Sequence, residues 1–283
     1  MRVSDFVLRS TRAVVGTVPL PGRYVAADLV GRVAAPESGA VTGKLGRYLV
    51  EYDLHDELQR QMYFGLYDPT LTTLLRRRLH PGEVFYDVGA NVGYFTLLAS
   101  GIVGSAGEVH AFEPIRANVE RLRTNVRRNG ITNITINEMA VADRAGEVSL
   151  YVPESDGAAN SGWASIAPSA RRPAAITVPT VSLDEYASGR RMPALIKLDI
   201  EGSEPAALAG MRELLGRDDA PDLVVEVNTF LLDRLGRSPA AVIGPLESAG
   251  NELFAMHDHG IAPLTVHPEF DKLTDVYATK RGA

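Results

Sequence analysis

The chain has no cysteine, a single tryptophan and no unbroken apolar run long enough to cross a bilayer. Without cysteine there are no disulfides, no thiolate metal ligands and no cysteine nucleophile. Without about 18 consecutive apolar residues there is no predicted transmembrane helix. An excess of positive charge is missing too. Twenty-nine Lys and Arg stand against 35 Asp and Glu, a formal charge of −6, which argues against a polyanionic partner such as nucleic acid. The N-terminal stretch mixes Arg2, Asp5, Arg9 and Arg12 into its apolar residues. It therefore lacks the apolar core of a signal peptide, and a soluble, cytoplasmic protein is expected. Asn133-Ile134-Thr135 spells a glycosylation acceptor, but nothing else points to secretion. What remains is a globular balance, 45% hydrophobic and 23% charged over 283 residues. That suffices for one large domain, or for one domain with an appendage.

Residues 1 to about 38 read as one or two helices and a loop, 45–54 as a strand, and 71–79 as an arginine-rich helix after Tyr67-Asp68-Pro69. The first 70 residues are predicted to form an appendage covering the acceptor side of a main domain that spans 71–283. From Val84 the pattern becomes regular. Strand candidates at 84–88, 108–113, 133–139, 194–200 and 222–228 alternate with helical segments at 92–103, 115–129, 203–216 and 238–249. This is the signature of βαβ units in a doubly wound, mostly parallel α/β sheet. A polar insertion with one strand pair falls at 146–181, and 252–258 with 274–280 are expected to pair antiparallel at one edge. Ligands bind such sheets at the carboxyl ends of the strands.

The sharpest motif is Asp87-Val88-Gly89-Ala90-Asn91-Val92-Gly93, between the first strand and its helix. Gly89 permits a positive φ and close ligand approach, and Gly93 permits close packing of the helix. Open N–H groups at the helix start suit a carboxylate. Glu113, twenty residues beyond Gly93, ends the second strand, where an acid accepts from ribose hydroxyls. A dinucleotide fingerprint is G-x-G-x-x-G. The pattern here is G-x-N-x-G behind an aspartate, which repels a pyrophosphate and suits the ammonium group of a methionine moiety.

The segments FYDVGANVGYFTLLAS, HAFEP, NEMAVAD, VPTVSLDEY, IKLDIEGSE and LVVEVN stand in the order found in FkbM-type methyltransferases, and the chain resembles that family from about Tyr63 to Asn228. The resemblance implies a Rossmann-like class I methyltransferase fold of seven strands, the last inserted antiparallel. It implies S-adenosylmethionine as cofactor and O-methylation of a hydroxylated small molecule, a sugar or natural product. It places Asp87, Gly89, Asn91 and Gly93 around the methionine half of the cofactor, Glu113 at the ribose with Pro114 closing the turn, and the Ala140-Val141 neighbourhood beside the adenine. Glu138 or Asn137 would meet the exocyclic amine.

Lys197-Leu198-Asp199-Ile200-Glu201-Gly202-Ser203-Glu204 closes the fourth strand. Asp199 and Glu201 alternate, so both can face the cleft, as can Glu226 and Asn228 on the next strand. Either one carboxylate is the general base that activates an acceptor hydroxyl, or the cluster holds a divalent cation such as Mg²⁺. Asp199, Glu201 and Glu226 are the catalytic candidates, with Asp199 also expected among the cofactor-binding residues, while Glu204 is expected to serve the following helix's N-terminus. His257, His259 and His267 lack companion ligands for a metal centre. Trp163 is either a core anchor or a stacking surface. Arg171 and Arg172 are expected in a solvated loop, and the arginines at 76–78 on a helix face. A nicotinamide-dependent oxidoreductase and a non-catalytic cofactor-binding module are the competing classes. The first is disfavoured by the turn, the second by the intact acids.

Overall fold

The computed structural model describes residues 3–16, 21–152, 174–257, 260–264 and 273–282. Helices α1 (Val3–Val15) and α2 (Arg23–Ala34) precede strands β1 (Ala40–Leu45) and β2 (Tyr48–Asp53), then α3 (Glu57–Phe64) and α4 (Pro69–Arg78). The single strand predicted over 45–54 is instead a hairpin. Gly46 takes φ 57 and turns the chain, so that Leu45 pairs with Tyr48. Strands β3 (Val84–Val88), β4 (Glu108–Phe112) and β5 (Ile134–Asn137) alternate with α5 (Tyr94–Val103) and α6 (Arg116–Arg128). The insertion supplies β7 (Gly146–Val152) and β8 (Ala174–Val181), which form a small separate sheet with β6 (Ala140–Val141) just before it. Then follow α7 (Leu183–Ala187), β9 (Leu195–Leu198), α8 (Glu204–Ala209), α9 (Arg212–Gly216), β10 (Asp222–Asn228), α10 (Thr229–Arg234), α11 (Ala240–Ser248), β11 (Glu252–His257), β12 (Gly260–Pro263) and β13 (Leu273–Thr279).

The main sheet has the order β12-β11-β13-β10-β9-β3-β4-β5. β3 pairs in parallel with both β4 and β9, while β13 lies antiparallel between β10 and β11. This is the expected class I methyltransferase sheet, with one short strand, β12, added beyond the seven. The two closing strands do pair antiparallel, but β13 is interior. Its Val276, Tyr277 and Ala278 are fully buried, and an apolar strand is stabilised more between two neighbours than at an edge.

The strand period of two feeds two cores. Phe85 enters a cluster with α4, α5 and the N-terminal elements, whereas Val84, Tyr86 and Val88 enter one with α7, α8, α9 and α11. Burying each such large side chain stabilises by roughly 1.5–3 kcal/mol. Among the described residues, the first 70 share the Phe85 core and tie into α6 as well. Asn125 and Asn129 accept from the backbone N–H groups of Glu51 and Leu49 at 2.9 and 2.8 Å. The chain runs one way from β3 to β5 and then returns to β9 on the other side. A crevice is left at the carboxyl ends of β3 and β9.

Candidate active site

That crevice is a cavity of about 800 Å³. Its wall takes Gly89 and Asn91 from the turn after β3, Glu113 and Pro114 from the end of β4, and Met139 to Val148 from the stretch that follows β5 and enters the insertion. Asp199, Glu201, Glu226 and Asn228 come from the ends of β9 and β10, and Leu58 and Tyr67 from the N-terminal part.

The turn after β3 is set by backbone contacts. The N–H groups of Gly89 and Ala90 both donate to the Phe112 carbonyl at 3.0 Å, and Gly89 has φ 81. A Cβ on Gly89 would lie 1.8 Å from the Asp199 carbonyl oxygen. The neighbouring strand end therefore demands glycine there, where the sequence suggested a ligand's approach. Gly93, at φ 92, would bring a Cβ within 2.3 Å of Leu122 Cδ1, so it serves packing of α5 on α6. Asn91 N–H donates to Glu113 Oε2 at 2.8 Å and Gly93 N–H to the Ala90 carbonyl. The turn's N–H groups are thus mostly engaged within the protein. Asn91 Oδ1 is buried with no hydrogen-bond partner among the described residues.

Glu113 is 5% exposed, and its Oε1 accepts from the Ile115 N–H at 2.9 Å and from Asn118. Burial outweighs these bonds and pushes its carboxyl up to about 7. Ala140 lines the cavity beside Met139, but Glu138 does not; it pairs with Arg123 at 3.1 Å.

Asp87 is also off the cavity wall, at 1% exposure. Its Oδ2 accepts from the Thr96 hydroxyl at 2.5 Å, and its Oδ1 lies 3.8 Å from Lys197 Nζ. Lys197 Nζ also lies 3.0 Å from Asp199 Oδ2 and 5.7 Å from the Phe95 ring centre. Burial works against the Lys197 charge, yet the carboxylates of Asp199 and Asp87 outweigh it and hold the ammonium protonated. Asp87 thus holds an ammonium belonging to the protein itself.

The carboxylates of Asp199, Glu201 and Glu226 offer oxygens within 4.8 Å of one another. Strand alternation does not bring Asp199 and Glu201 together, because β9 ends at Leu198 and Glu201 sits in a turn at φ 55. Glu226 is 8% exposed, and its Oε2 has no hydrogen-bond partner among the described residues. Burial, then Asp199, Glu201 and other nearby acids, drive its carboxyl far above the usual range. Asp275, its cross-strand partner on β13, is pushed up to about 8 by burial and by Asp68 and Asp199. Glu204 is fully buried, and its Oε1 accepts from the Ile200 and Gly202 N–H groups at 2.9 and 3.2 Å. It pins the turn that carries Glu201. Asn228 Oδ1 caps α10. Carboxyl groups crowded at low dielectric do not all ionise near neutrality, so the cluster can take up a proton or hold a divalent cation.

Lys197 had no role in the sequence reading, although strand alternation, which sets it two residues before Asp199, is a signal that could have found it. Tyr67, edge-on to Tyr94 and tilted against Phe95 at the cavity, had no sequence signal. His257 is exposed, and Arg76 and Arg77 coat the surface of α4. Trp163, Arg171, Arg172, His259 and His267 lie outside the described residues.

Residues 87–253 match the model of the methyltransferase FkbM domain. The chain belongs to the FkbM methyltransferase family. This FkbM-family chain is 41% identical over 68 residues to 31-O-demethyl-FK506 methyltransferase FkbM of Streptomyces tacrolimicus, which is 24% of the chain and 25% of that relative. The match thus spans about a quarter of that relative's length. It is 26% identical over 187 residues to hexuronic acid methyltransferase AglP of Haloferax volcanii, covering 65% of the chain and 72% of AglP. A solved precorrin-6y C5,15-methyltransferase from Geobacter metallireducens aligns at 16% identity over 76% of this chain and 88% of that one, with a TM-score of 0.43. The FkbM methyltransferase domain spans most of the stretch that prompted the nicotinamide reading and tells against it.

Proposed function

We propose that this methyltransferase uses S-adenosylmethionine to methylate a hydroxyl oxygen of a small sugar or natural-product acceptor. The observation that carries the reading is the approach of Asp199, Glu201 and Glu226 within 4.8 Å on the wall of the cavity that Glu113 also lines. The residues suit such a cofactor. Asn91 Oδ1 and Glu226 Oε2 are buried acceptors without hydrogen-bond partners among the described residues, a setting for a cationic, donor-rich ligand. When bound, S-adenosylmethionine supplies an electrophilic methyl carbon on a sulfonium. Glu113 would accept from the ribose hydroxyls, with Pro114 and Ala140 flanking. Lys197 holds Asp199 Oδ2, and the other carboxylate oxygen of Asp199 would take the proton from the acceptor hydroxyl as that oxygen attacks. Glu201 and Glu226 would orient the acceptor.

Among the described residues the wall carries six acidic residues, Glu113, Asp143, Glu147, Asp199, Glu201 and Glu226, against one arginine, Arg144. That balance favours an uncharged acceptor over an acidic sugar. Leu58, Tyr67 and the Gly146–Val148 stretch give the cavity the side on which we place the acceptor. The test is a screen of neutral and acidic hydroxylated acceptors with methyl-labelled cofactor, read by mass spectrometry. A gain of one methyl on oxygen in a neutral acceptor is expected. Methylation confined to nitrogen would sink the O-methyl assignment, and a preference for hexuronic acids would sink the neutral-acceptor assignment.

A further inference from the structure

We infer that the outer face of the α1–α2 pair is a docking surface for an anionic lipid bilayer. Seven of the ten large apolar side chains that are exposed among the described residues lie between positions 6 and 33. In α2, Val25, Leu29 and Val33 are 73, 60 and 79% exposed and recur every four residues. They form one stripe along the helix. Ala27 and Gly31 occupy the opposite face, buried toward the body, with Gly31 against Arg60 and Phe64 of α3. In α1, Leu8 and Val15 point inward while Phe6, 58% exposed, and Val7 point outward. Both helices thus have their inner faces satisfied and keep a second apolar face in water. Exposed apolar surface of this extent on an otherwise polar exterior marks an interaction site.

Charge selects the occupant. Residues 1–34 hold five arginines and two aspartates in a chain of net charge −6; Arg12 turns inward onto Tyr63 and the Lys44 carbonyl, which leaves Arg9, Arg23 and Arg32 among the described arginines of the pair. One of those aspartates, Asp28, is already paired with Arg60 and Arg32 at 2.8 Å. Arg9 is exposed, and the Arg32 side chain is 59% exposed. A second copy of the chain on this face would bring two cationic surfaces together. An anionic bilayer satisfies both features, since apolar side chains enter the headgroup boundary while arginines meet lipid phosphates. Helix α3, which packs on both helices, also carries Leu58 in the cavity wall. Docking would set the cavity beside the membrane, with no helix among the described residues long and apolar enough to cross it.

The full-length protein should co-sediment with phosphatidylcholine vesicles that contain phosphatidylglycerol, not with phosphatidylcholine alone, and added salt should weaken the association. The triple variant Val25→Asp, Leu29→Asp, Val33→Asp should lose about tenfold or more in partitioning, with S-adenosylhomocysteine binding and far-ultraviolet circular dichroism unchanged. Should that variant fail to fold, the lipid and salt dependence of the unaltered protein decides alone. Protein that stays in the supernatant with anionic vesicles would overturn the inference. Equal binding to both vesicle types would overturn the choice of an anionic surface. A dimer in light scattering that the triple variant abolishes would assign the face to a second copy instead.

Discussion

Asp199 has one oxygen held by a buried lysine at 3.0 Å and two further carboxylates near it. A side chain so fixed is pre-organised for proton transfer, because little reorganisation is left when the acceptor arrives. Replacing Asp199 by Asn keeps the shape and removes the charge. We expect kcat to fall about 10²- to 10⁴-fold, with S-adenosylhomocysteine affinity nearly unchanged by calorimetry. A variant that turns over normally would remove Asp199 from the chemistry. The same assay run with a chelator separates the two forms of assistance. Activity that is lost with chelator and restored by Mg²⁺ indicates a shared cation, and indifference indicates the carboxylate as base.

At the scale of elements, the turn between β3 and α5 is wedged between the ends of β4 and β9. Gly89 and Gly93 both have positive φ, but their neighbours differ in kind. Gly89 faces the Asp199 carbonyl of the backbone, which cannot swing aside, whereas Gly93 faces the tip of Leu122, which can rotate. Gly89→Ala should therefore destabilise more than Gly93→Ala. The φ strain is common to both and is worth about 1–3 kcal/mol; the backbone clash adds to it only at Gly89. Urea unfolding of the two variants measures the difference. Equal losses would mean that the Asp199 contact yields easily. Gly89→Ala should also move Asp199 and so lower activity, although Gly89 itself takes no part in the chemistry.

For the whole molecule, the decisive feature is the number of acids buried near the carboxyl ends of the parallel strands. Burial raises Glu113 and Glu204 to about 7 and Asp275 to about 8, and together with neighbouring acids it holds Glu226 well above the usual carboxylate range. In the unfolded chain these groups titrate near 4. Between about pH 4 and 8 the unfolded state releases protons that the folded state keeps, so their contribution to stability is full below about 4 and is lost as pH rises. The ligand-free protein should therefore show a falling melting temperature from about pH 5 to 8, levelling above it. A cationic ligand that favours the ionised carboxylates should lessen that fall. A melting temperature that rises through the same window would show that these acids are ionised in the folded protein.

The order of the parallel strands from Val84 to Asn228 was legible because apolar runs alternate with amphipathic segments at fixed periods, and Glu113 because it ends such a run. Asp199, Glu201 and Glu226 were legible as acids at strand ends. Their approach rests on the αL turn at Glu201, which no local pattern announces. The N-terminal hairpin, the eighth strand and the break between α8 and α9 were not legible, since a short apolar segment suits several partners and packing chooses among them. The sequence by itself determined the parallel sheet, the glycine-rich turn and the acidic strand ends, which follow from local periodicity and residue spacing. Only the tertiary structure decided that Asp87 serves Lys197, that Gly89 yields space to a strand, and that Tyr67 lines the cavity, because each depends on which distant residue is brought into contact.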